Sequence, residues 1–142
     1  MIKVLIVENE PIIAELLAEN LGEAGYEVCG IASTVAQAIE IGTRDKPDLG
    51  VIDVHLSGGE YGTEIAATLR RRRAFGVLYA TGNPLHPRLI DAEGEGCISK
   101  PYLACNIVSA LRIVTEQMSN RPLPAFPRGF RLLSSSSTLH AA

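Results

Sequence analysis

The run Leu-Gly-Val-Ile-Asp at residues 49–53 constrains the fold of this chain more than any other feature. Pro47 and Asp48 precede this short apolar run, and a glycine-rich loop follows it. A run bounded in this way is typical of a strand that is buried on both faces of a sheet. It ends in a carboxylate, Asp53, and ligands bind at the carboxyl edge of an open α/β sheet. Taken alone, Asp53 is as readily explained as the cap of the next helix.

Apolar runs and helical repeats alternate along the rest of the chain. Further strands are predicted at residues 3–7, 26–31, 77–81 and 97–99. Amphipathic helices are predicted at residues 11–22, after Ser33 or Thr34, at about 61–72 and at 102–118. Alternation also requires a fourth helix near residues 88–92, which we expect to be short or irregular because prolines and glycines interrupt it. The pattern predicts an α/β fold with a doubly wound, five-stranded parallel sheet.

Length and composition narrow the class of protein. A chain of 142 residues can form one domain with a full core. No apolar run approaches the ~20 residues of a membrane span, and a first strand that begins at once leaves no room for a signal peptide. The three cysteines show no Cys-x-x-Cys spacing, which indicates small buried side chains in a reducing compartment. We therefore expect a cytoplasmic protein without membrane contacts.

Charge is distributed unevenly along the chain. The last 24 residues contain three arginines and no acid, so all 16 acidic residues lie in residues 1–118. This acidic part argues against nucleic acid as the main partner, and no direct DNA binding is expected. We interpret the basic run Arg70–Arg73 as the solvated last turn of a helix, where cations complement the macrodipole, rather than as a docking patch for an anionic partner.

The periodic pattern stops at about residue 119. Prolines and a run of serines follow, so we predict a domain boundary at residue 118 and a flexible Pro/Ser-rich tail over residues 119–142. A less common alternative, in which the tail docks in a groove, stays open because the tail contains the apolar residues Phe126, Phe130, Leu132 and Leu133.

Polar residues stand at the carboxyl ends of four predicted strands: Glu8 and Asn9, Asp53, Thr81, and Lys100. Parallel strands bring these ends to one edge of the sheet. Oxygen ligands from Glu8, Asn9 and Asp53 suit a hard cation such as Mg²⁺. Asp53 would then attack a phosphorus centre as a carboxylate nucleophile, while Lys100 and Thr81 neutralise charge on the phosphoryl oxygens. Singly, each of these residues is better explained as a helix cap or a solvated loop charge.

Four motifs in this order resemble the response-regulator receiver domain of two-component signalling. They are Val-Glu-Asn-Glu-Pro at residues 7–11, Val-Ile-Asp-Val-His-Leu at 51–56, Ala-Thr-Gly at 80–82 and Ser-Lys-Pro at 99–101. The resemblance covers residues 1–118 and implies the flavodoxin-like receiver fold with strand order 2-1-3-4-5. The stretch Tyr-Ala-Thr-Gly at residues 79–82 is similar to a branch of single-domain receivers with a Phe/Tyr-Ala-Thr-Gly motif, in which the fourth helix is often irregular.

The resemblance also implies roles for individual residues. Asp53 matches the phospho-acceptor, and Thr81 and Lys100 match the hydroxyl and the lysine of the phosphorylation switch. The bond between Lys100 and Pro101 matches one that is usually cis, a state that needs proline. The implied ligands of the Mg²⁺ cofactor are Glu8, Asn9, Asp53 and the backbone carbonyl of His55.

Two positions depart from the family pattern. Asn9 stands where the family usually has aspartate, which keeps an oxygen ligand but removes one charge, so we expect weaker Mg²⁺ binding. Cys97 stands where the family usually has the switch aromatic, so that side chain cannot rotate as the signal. Tyr79 and Tyr102 are the aromatics left near the switch, and we predict that residues 83–96 are the moving segment instead.

These expectations describe a single-domain response regulator that accepts a phosphoryl group on Asp53 from a histidine kinase or a histidine phosphotransfer protein. It would signal to a downstream protein through the face formed by the fourth helix, the fifth strand and the last helix, which is also a candidate homodimer surface. It would catalyse only its own phosphorylation and dephosphorylation. The alternative is a receiver-like adaptor that is never phosphorylated. An aspartyl phosphatase ranks lower because position 55 is His rather than Asp, and a nucleotide binder ranks lowest because a phosphate-cradling loop is missing.

Overall fold

The computed structural model of the protein describes residues 1–133. The helices are α1 (Pro11–Glu23), α2 (Val35–Asp45), α3 (Thr63–Arg70) and α4 (Ala104–Met118). The strands are β1 (Lys3–Val7), β2 (Glu27–Ala32), β3 (Leu49–Asp53), β4 (Gly76–Thr81), β5 (Gly96–Ser99) and β6 (Phe130–Leu132). Two single turns of 3₁₀-helix lie at Ser57–Gly59 and Pro87–Leu89.

The strands form one sheet in the order β2-β1-β3-β4-β5-β6. The first five strands are parallel, and β6 is antiparallel to β5. The predicted α/β class and the order 2-1-3-4-5 are therefore confirmed. Every residue of β3 and β4 is buried, which is why both strands are continuous apolar runs rather than alternating patterns.

Helices cover both faces of the sheet and divide the core into two layers. Helices α1 and α4 pack against one face, where they contact Val51 and Leu78, among others. Helices α2 and α3 pack against the other face, where they contact Ile52 and Tyr79, among others. Successive residues of a central strand thus face opposite layers, as the pleat requires. Within residues 1–133, no helix combines the length and the apolar character needed to cross a bilayer.

The segment between β4 and β5 contains no regular helix. The predicted fourth helix at residues 88–92 is reduced to the 3₁₀ turn Pro87–Leu89, which confirms the expected irregularity. Pro87 occupies the first position of this turn, and the His86 side chain caps it by accepting a hydrogen bond from the Arg88 amide at 3.0 Å. A proline suits this first position but not a helix interior.

The sixth strand is a correction to the predicted five-stranded sheet and to the flexible tail. Phe130–Leu132 pairs with β5, and the Phe130 and Leu133 side chains are only 8% and 1% exposed. The alternative in which the tail docks describes this stretch, although Phe126 remains 49% exposed. A three-residue strand is too short to produce a periodic pattern, so the sequence alone did not reveal it. The serine run at 134–137 and the rest of the tail lie outside the described residues.

Candidate functional site

Three strands deliver one charged side chain each to the carboxyl edge of the sheet. Glu8 follows β1, Asp53 ends β3, and Lys100 follows β5. The Lys100 ammonium nitrogen lies 2.9 Å from Glu8 Oε1 and 2.9 Å from Asp53 Oδ1. The predicted convergence of these three residues is therefore what the structure has, although the residues come from the beginning, middle and end of the domain.

Burial sets the electrostatics of this acidic pocket, which we define as Glu8, Asp53 and Lys100. Glu8 and Asp53 are each 4% exposed. Burial and, second, the neighbouring Glu8 raise the pKa of Asp53 to about 7. Burial also tends to raise the pKa of Glu8, but hydrogen bonds with Asp53, Lys100 and the Glu10 amide outweigh it, so the net pKa is lowered. Of the two neighbouring carboxylates, Asp53 is therefore the one that takes up a proton more readily.

Asn9 lies beside the acidic pocket but points to a neighbouring loop. Its side chain is exposed, and Nδ2 donates a hydrogen bond to Ser57 Oγ at 3.2 Å. This contact leaves the Asn9 amide oxygen as the group able to bind a cation. With the Glu8 and Asp53 carboxylates, it makes an all-oxygen donor set, which fits Mg²⁺. Residues 1–133 contain no cluster of three or more His, Cys, Asp or Glu side chains arranged for a metal.

Thr81 is buried at the end of β4, and its hydroxyl organises the turn that follows. Thr81 Oγ1 accepts a hydrogen bond from the Asn83 amide at 3.0 Å and donates one to the Asn83 carbonyl at 3.1 Å. The Lys100 amide donates to the Thr81 carbonyl at 2.8 Å. The main chain therefore joins Thr81 to Lys100, while the hydroxyl must turn away from Asn83 before it can contact a phosphoryl group.

Glycine is required where α3 begins beside Asp53. A Cβ atom at Gly62 would lie 2.0 Å from the Asp53 carbonyl oxygen. The Gly62 amide donates to the Val54 carbonyl at 2.9 Å, so the two segments are held in contact. Among the glycines of this loop, Gly62 thus reflects a close main-chain approach behind Asp53, whereas Gly58 and Gly59 adopt positive φ angles of 73° and 76°.

A cluster of rings joins the loop after β3 to the loop after β4. The exposed His55 ring lies 5.2 Å from the Tyr61 ring and 4.7 Å from the His86 ring, measured between centroids. The Arg88 guanidinium carbon lies 4.0 Å from the Tyr61 centroid, in cation–π geometry. The sequence analysis missed this cluster because its members are distant in sequence and follow no spacing rule.

The aromatic residues near the predicted switch differ in their freedom to move. Cys97 and Tyr79 are fully buried, and the Tyr79 hydroxyl donates to the Glu93 carbonyl at 2.7 Å. Burial raises the pKa of Tyr79 well above its usual range. Tyr102 is partly exposed, and burial followed by the Glu8 charge raises its pKa to about 12. The Lys100–Pro101 bond beside it is cis, as the family resemblance implied.

A buried ion pair that the sequence analysis missed supports the far side of β4. Glu95 is 6% exposed and accepts hydrogen bonds from Arg70 Nη1 at 2.9 and 3.1 Å. Its carboxylate also accepts from the Val77 amide at 2.8 Å. Arg70 is therefore not a solvated member of the basic run, because it anchors the end of α3 to the sheet.

Comparison with known proteins identifies the family. The model of the response regulator receiver domain matches residues 4–112 of the chain. The chain belongs to this family. Solved receiver domains share the sheet order described above, so fold and family agree.

Individual relatives are similar to most of this chain but match it over only part of their own length. The transcriptional regulatory protein PdtaR of Mycobacterium tuberculosis is 30% identical over 118 residues, which are 81% of this chain and 57% of PdtaR. The phyllosphere-induced regulator PhyR of Methylorubrum extorquens is 30% identical over 116 residues, 77% of this chain and 42% of PhyR. The chain thus spans about half the length of these relatives. The receiver domain of PhyR from Erythrobacter litoralis has the same fold, with a TM-score of 0.69, 24% identity, and coverage of 87% of this chain and 96% of that domain.

Proposed function

We propose that this receiver accepts a phosphoryl group on Asp53 from a histidine kinase or a histidine phosphotransfer protein and signals through protein contacts. The observation that carries the proposal is the Lys100 ammonium, which lies 2.9 Å from both Glu8 and Asp53 in a buried pocket at the carboxyl edge. A lysine in this position holds the Asp53 carboxylate in place. It is also close enough to contact a phosphoryl group once that group is bonded to Asp53.

In the proposed transfer, an Asp53 oxygen forms a bond to phosphorus as the bond between phosphorus and the donor imidazole nitrogen breaks. The electron pair of the broken bond stays on the imidazole, which then takes a proton. Lys100 passes from the Asp53 oxygen to a phosphoryl oxygen, and the Thr81 hydroxyl turns from Asn83 to another. Mg²⁺, when bound by Glu8, Asn9, Asp53 and the His55 carbonyl, would supply further charge neutralisation. The attacking form is the Asp53 carboxylate, since a neutral carboxyl is a poor nucleophile, so any proton on Asp53 must leave first.

An apolar surface beside Lys100 supports protein docking close to Asp53. A cavity of about 390 Å³ lies between α1 and the segment that follows β5, with Leu16, Pro101 and Tyr102 in its lining. Around it, Ile12, Leu16 and Leu103 are 82%, 59% and 66% exposed. Clustered exposed apolar side chains mark protein interaction sites. We propose that the phosphoryl donor binds here, next to the acceptor.

Phosphorylation is tested by exposing the protein to acetyl phosphate and Mg²⁺ and measuring its intact mass. The expected result is a phosphoryl adduct in the wild type that is lost in Asp53→Asn. Asp91→Asn is the matched control, because Asp91 is an exposed carboxylate in the loop after β4. An adduct that persists in Asp53→Asn would assign the acceptor elsewhere.

A second candidate, an adaptor that is never phosphorylated, is favoured by Asn9 and Cys97, which depart from the family pattern. The same experiment separates the two functions, since an adaptor gives no adduct in the wild type. Beryllofluoride, a phosphoryl mimic, adds a second measurement, because a competent acidic pocket should bind it with Mg²⁺ and shift the amide signals of residues around Asp53.

A further inference from the structure

The open edge of β5 is occupied by the chain's own C-terminal segment. In register, Gly96, Cys97 and Ile98 pair with Leu132, Arg131 and Phe130. Two more main-chain hydrogen bonds flank this pairing, from the Ser99 amide to the Gly129 carbonyl and from the Leu133 amide to the Glu95 carbonyl, both at 3.1 Å. Main-chain pairing of this kind can be made by almost any extended segment, since it does not depend on side chains.

Side chains of the segment pack against both faces of the sheet. Phe130 packs into the layer of α1 and α4, whereas Leu133 packs into the opposite layer. Leu133 joins Tyr79, Leu89 and Cys97 there, beside the segment that replaces the fourth helix. The exposed Arg131 side chain donates a hydrogen bond to the Pro84 carbonyl. The segment thus covers apolar surface beside the irregular segment between β4 and β5.

Two glycines leave room for these packed side chains. A Cβ atom at Gly96 would lie 2.6 Å from the Phe130 ring, so only glycine leaves room for that side chain. A Cβ atom at Gly94 would lie 2.8 Å from the Tyr79 ring and 3.4 Å from Leu133. The glycines that prevent a regular fourth helix therefore also create the surface on which the segment rests.

The connection that carries the segment makes few main-chain hydrogen bonds, although Leu123 packs against the layer of α1 and α4. Residues 119–129 lie beyond the part of the chain that matches the receiver family, which ends at residue 112. Within the described residues, the main-chain groups of 122–128 form a single hydrogen bond, from the Phe130 amide to the Pro127 carbonyl. Release of β6 would therefore leave the five parallel strands and their helices intact.

We propose that the β5 edge is a strand-binding interaction surface, and that its partner is an extended segment of another protein with an aromatic residue followed two and three positions later by apolar residues. Residues 130–133, Phe-Arg-Leu-Leu, display this pattern and occupy the surface until a partner displaces them. A tethered segment competes at an effective concentration in the millimolar range, so displacement lowers the apparent affinity of the partner without preventing binding. The proposal rests on the geometry of β5 and β6 and does not require phosphorylation of Asp53.

The probe is a fluorescent peptide with the sequence of residues 124–133, titrated into the full chain and followed by fluorescence anisotropy. The double variant Phe130→Ser/Leu133→Ser should vacate the surface and bind the peptide about 10- to 100-fold more tightly than the wild type. A control peptide with serine at the same two positions should bind neither protein. Equal affinity of both proteins for the first peptide, or no binding to a double variant that melts cooperatively, would overturn the proposal.

A measurement on the wild type guards against a double variant that fails to fold. Amide hydrogen exchange should show that the Leu133 and Ser99 amides exchange at least 10-fold faster than central amides of β4, because β6 opens independently. Exchange of these amides only at the rate of global unfolding would refute an exchangeable strand. Light scattering addresses the identity of the occupant: a concentration-dependent dimer that disappears in the double variant would show that a second copy exchanges strands, against the proposed partner.

Discussion

The acidic pocket and the β5 edge lie at neighbouring parts of one sheet, yet different forces hold them. In the acidic pocket, one ammonium group lies between two buried carboxylates. The geometry therefore depends on ion pairs that are lost when these groups move apart. At the β5 edge, main-chain pairing and apolar contacts hold β6, and these accept many sequences. Under the two proposals above, the reacting groups are held rigidly, whereas the surface that contacts a partner accepts varied sequences.

The free energies that hold the two regions in place also differ in size. Burial of a Leu or Phe side chain contributes about 1.5–3 kcal/mol, whereas ordering the main chain costs about 1–2 kcal/mol per residue. For the few residues of β6 these terms nearly cancel, so its docking is marginal. In the acidic pocket, loss of the one ammonium would leave two buried carboxylates without a counter-charge, which costs about 3–5 kcal/mol. We therefore expect severe effects where the pocket loses its cation or its main-chain support, and mild effects at the edge.

The largest effect is expected at Gly62, which supports the acidic pocket. Gly62→Ala places a Cβ atom 2.0 Å from the Asp53 carbonyl oxygen, and main chain cannot yield as a side chain can. We predict a loss of at least about 3 kcal/mol in the free energy of unfolding, together with loss of the phosphoryl adduct. Urea denaturation measures the first effect.

Gly22→Ala is the matched control for this substitution, because nothing lies within 4 Å of a Cβ atom at that position of α1. It should stabilise the protein by about 0.5–1 kcal/mol, since alanine favours a helix. A Gly62→Ala protein as stable as the wild type would show that the loop behind Asp53 can relax.

The next effect concerns the proton on Asp53. Its pKa in the folded protein is about 7, above the ~3.9 of an unfolded chain. A group with a raised folded pKa contributes stability below its unfolded pKa and loses it as pH rises through the folded value. In chelator, Asp53→Asn should therefore be more stable than the wild type by about 2–3 kcal/mol at pH 8, with the difference absent near pH 4. Thermal unfolding over this pH range tests the sign, and a difference independent of pH would argue against a buried, protonated Asp53.

A pair of leucine substitutions compares the centre of the sheet with its edge. Leu78 and Leu133 are 0% and 1% exposed, so burial alone predicts equal losses of about 2–5 kcal/mol on truncation to alanine. We predict that Leu78→Ala loses about 3 kcal/mol but Leu133→Ala only about 1 kcal/mol, because β6 can detach and its docking energy limits the loss. Chemical denaturation of both variants measures this difference. Equal losses would mean that β6 unfolds only with the whole domain.

The smallest effect is expected for Asn9→Asp. An added carboxylate should tighten Mg²⁺ binding about 10-fold, because the cation gains a charged ligand. The stability in chelator should fall by less than about 1 kcal/mol, because position 9 is exposed and the repulsion of Asp53 is screened. Calorimetric titration with Mg²⁺ measures the affinity, and Ser109→Asp on the exposed surface of α4 provides the control for a general charge effect. No change in Mg²⁺ affinity would remove Asn9 from the proposed ligands.

The mobility that we predict for residues 83–96 should depend on their contacts with the C-terminal segment. The segment lacks a regular helix, as the sequence indicated, but Arg131 contacts Pro84 and Leu133 packs beneath Leu89. Its freedom should therefore depend on whether β6 is docked. The segment stays a prediction as the moving part, and its exchange rate in the Phe130→Ser/Leu133→Ser variant would show how much of its order comes from the tail.

The sequence by itself determined the five parallel strands and the convergence at their carboxyl edge. Strands buried on both faces must be continuous apolar runs, and parallel strands must bring their carboxyl ends together, so Glu8, Asp53 and Lys100 could be assigned to one site. The family motifs added the expected roles and the cis bond before Pro101, which the structure contains. These features depend on local patterns and on topology, both of which are written along the chain.

Only the tertiary structure decided the contacts between residues that share no local pattern. The ion pair of Glu95 with Arg70, the hydrogen bond of Asn9 with Ser57 and the pairing of β6 with β5 each join positions distant in sequence. No periodicity encodes them, because each arises from a space left by neighbouring elements. β6 docks where the fourth helix is missing, and two glycines leave room for its side chains. Such complementarity exists only after the sheet has formed, and for this reason the sequence pattern could not predict it.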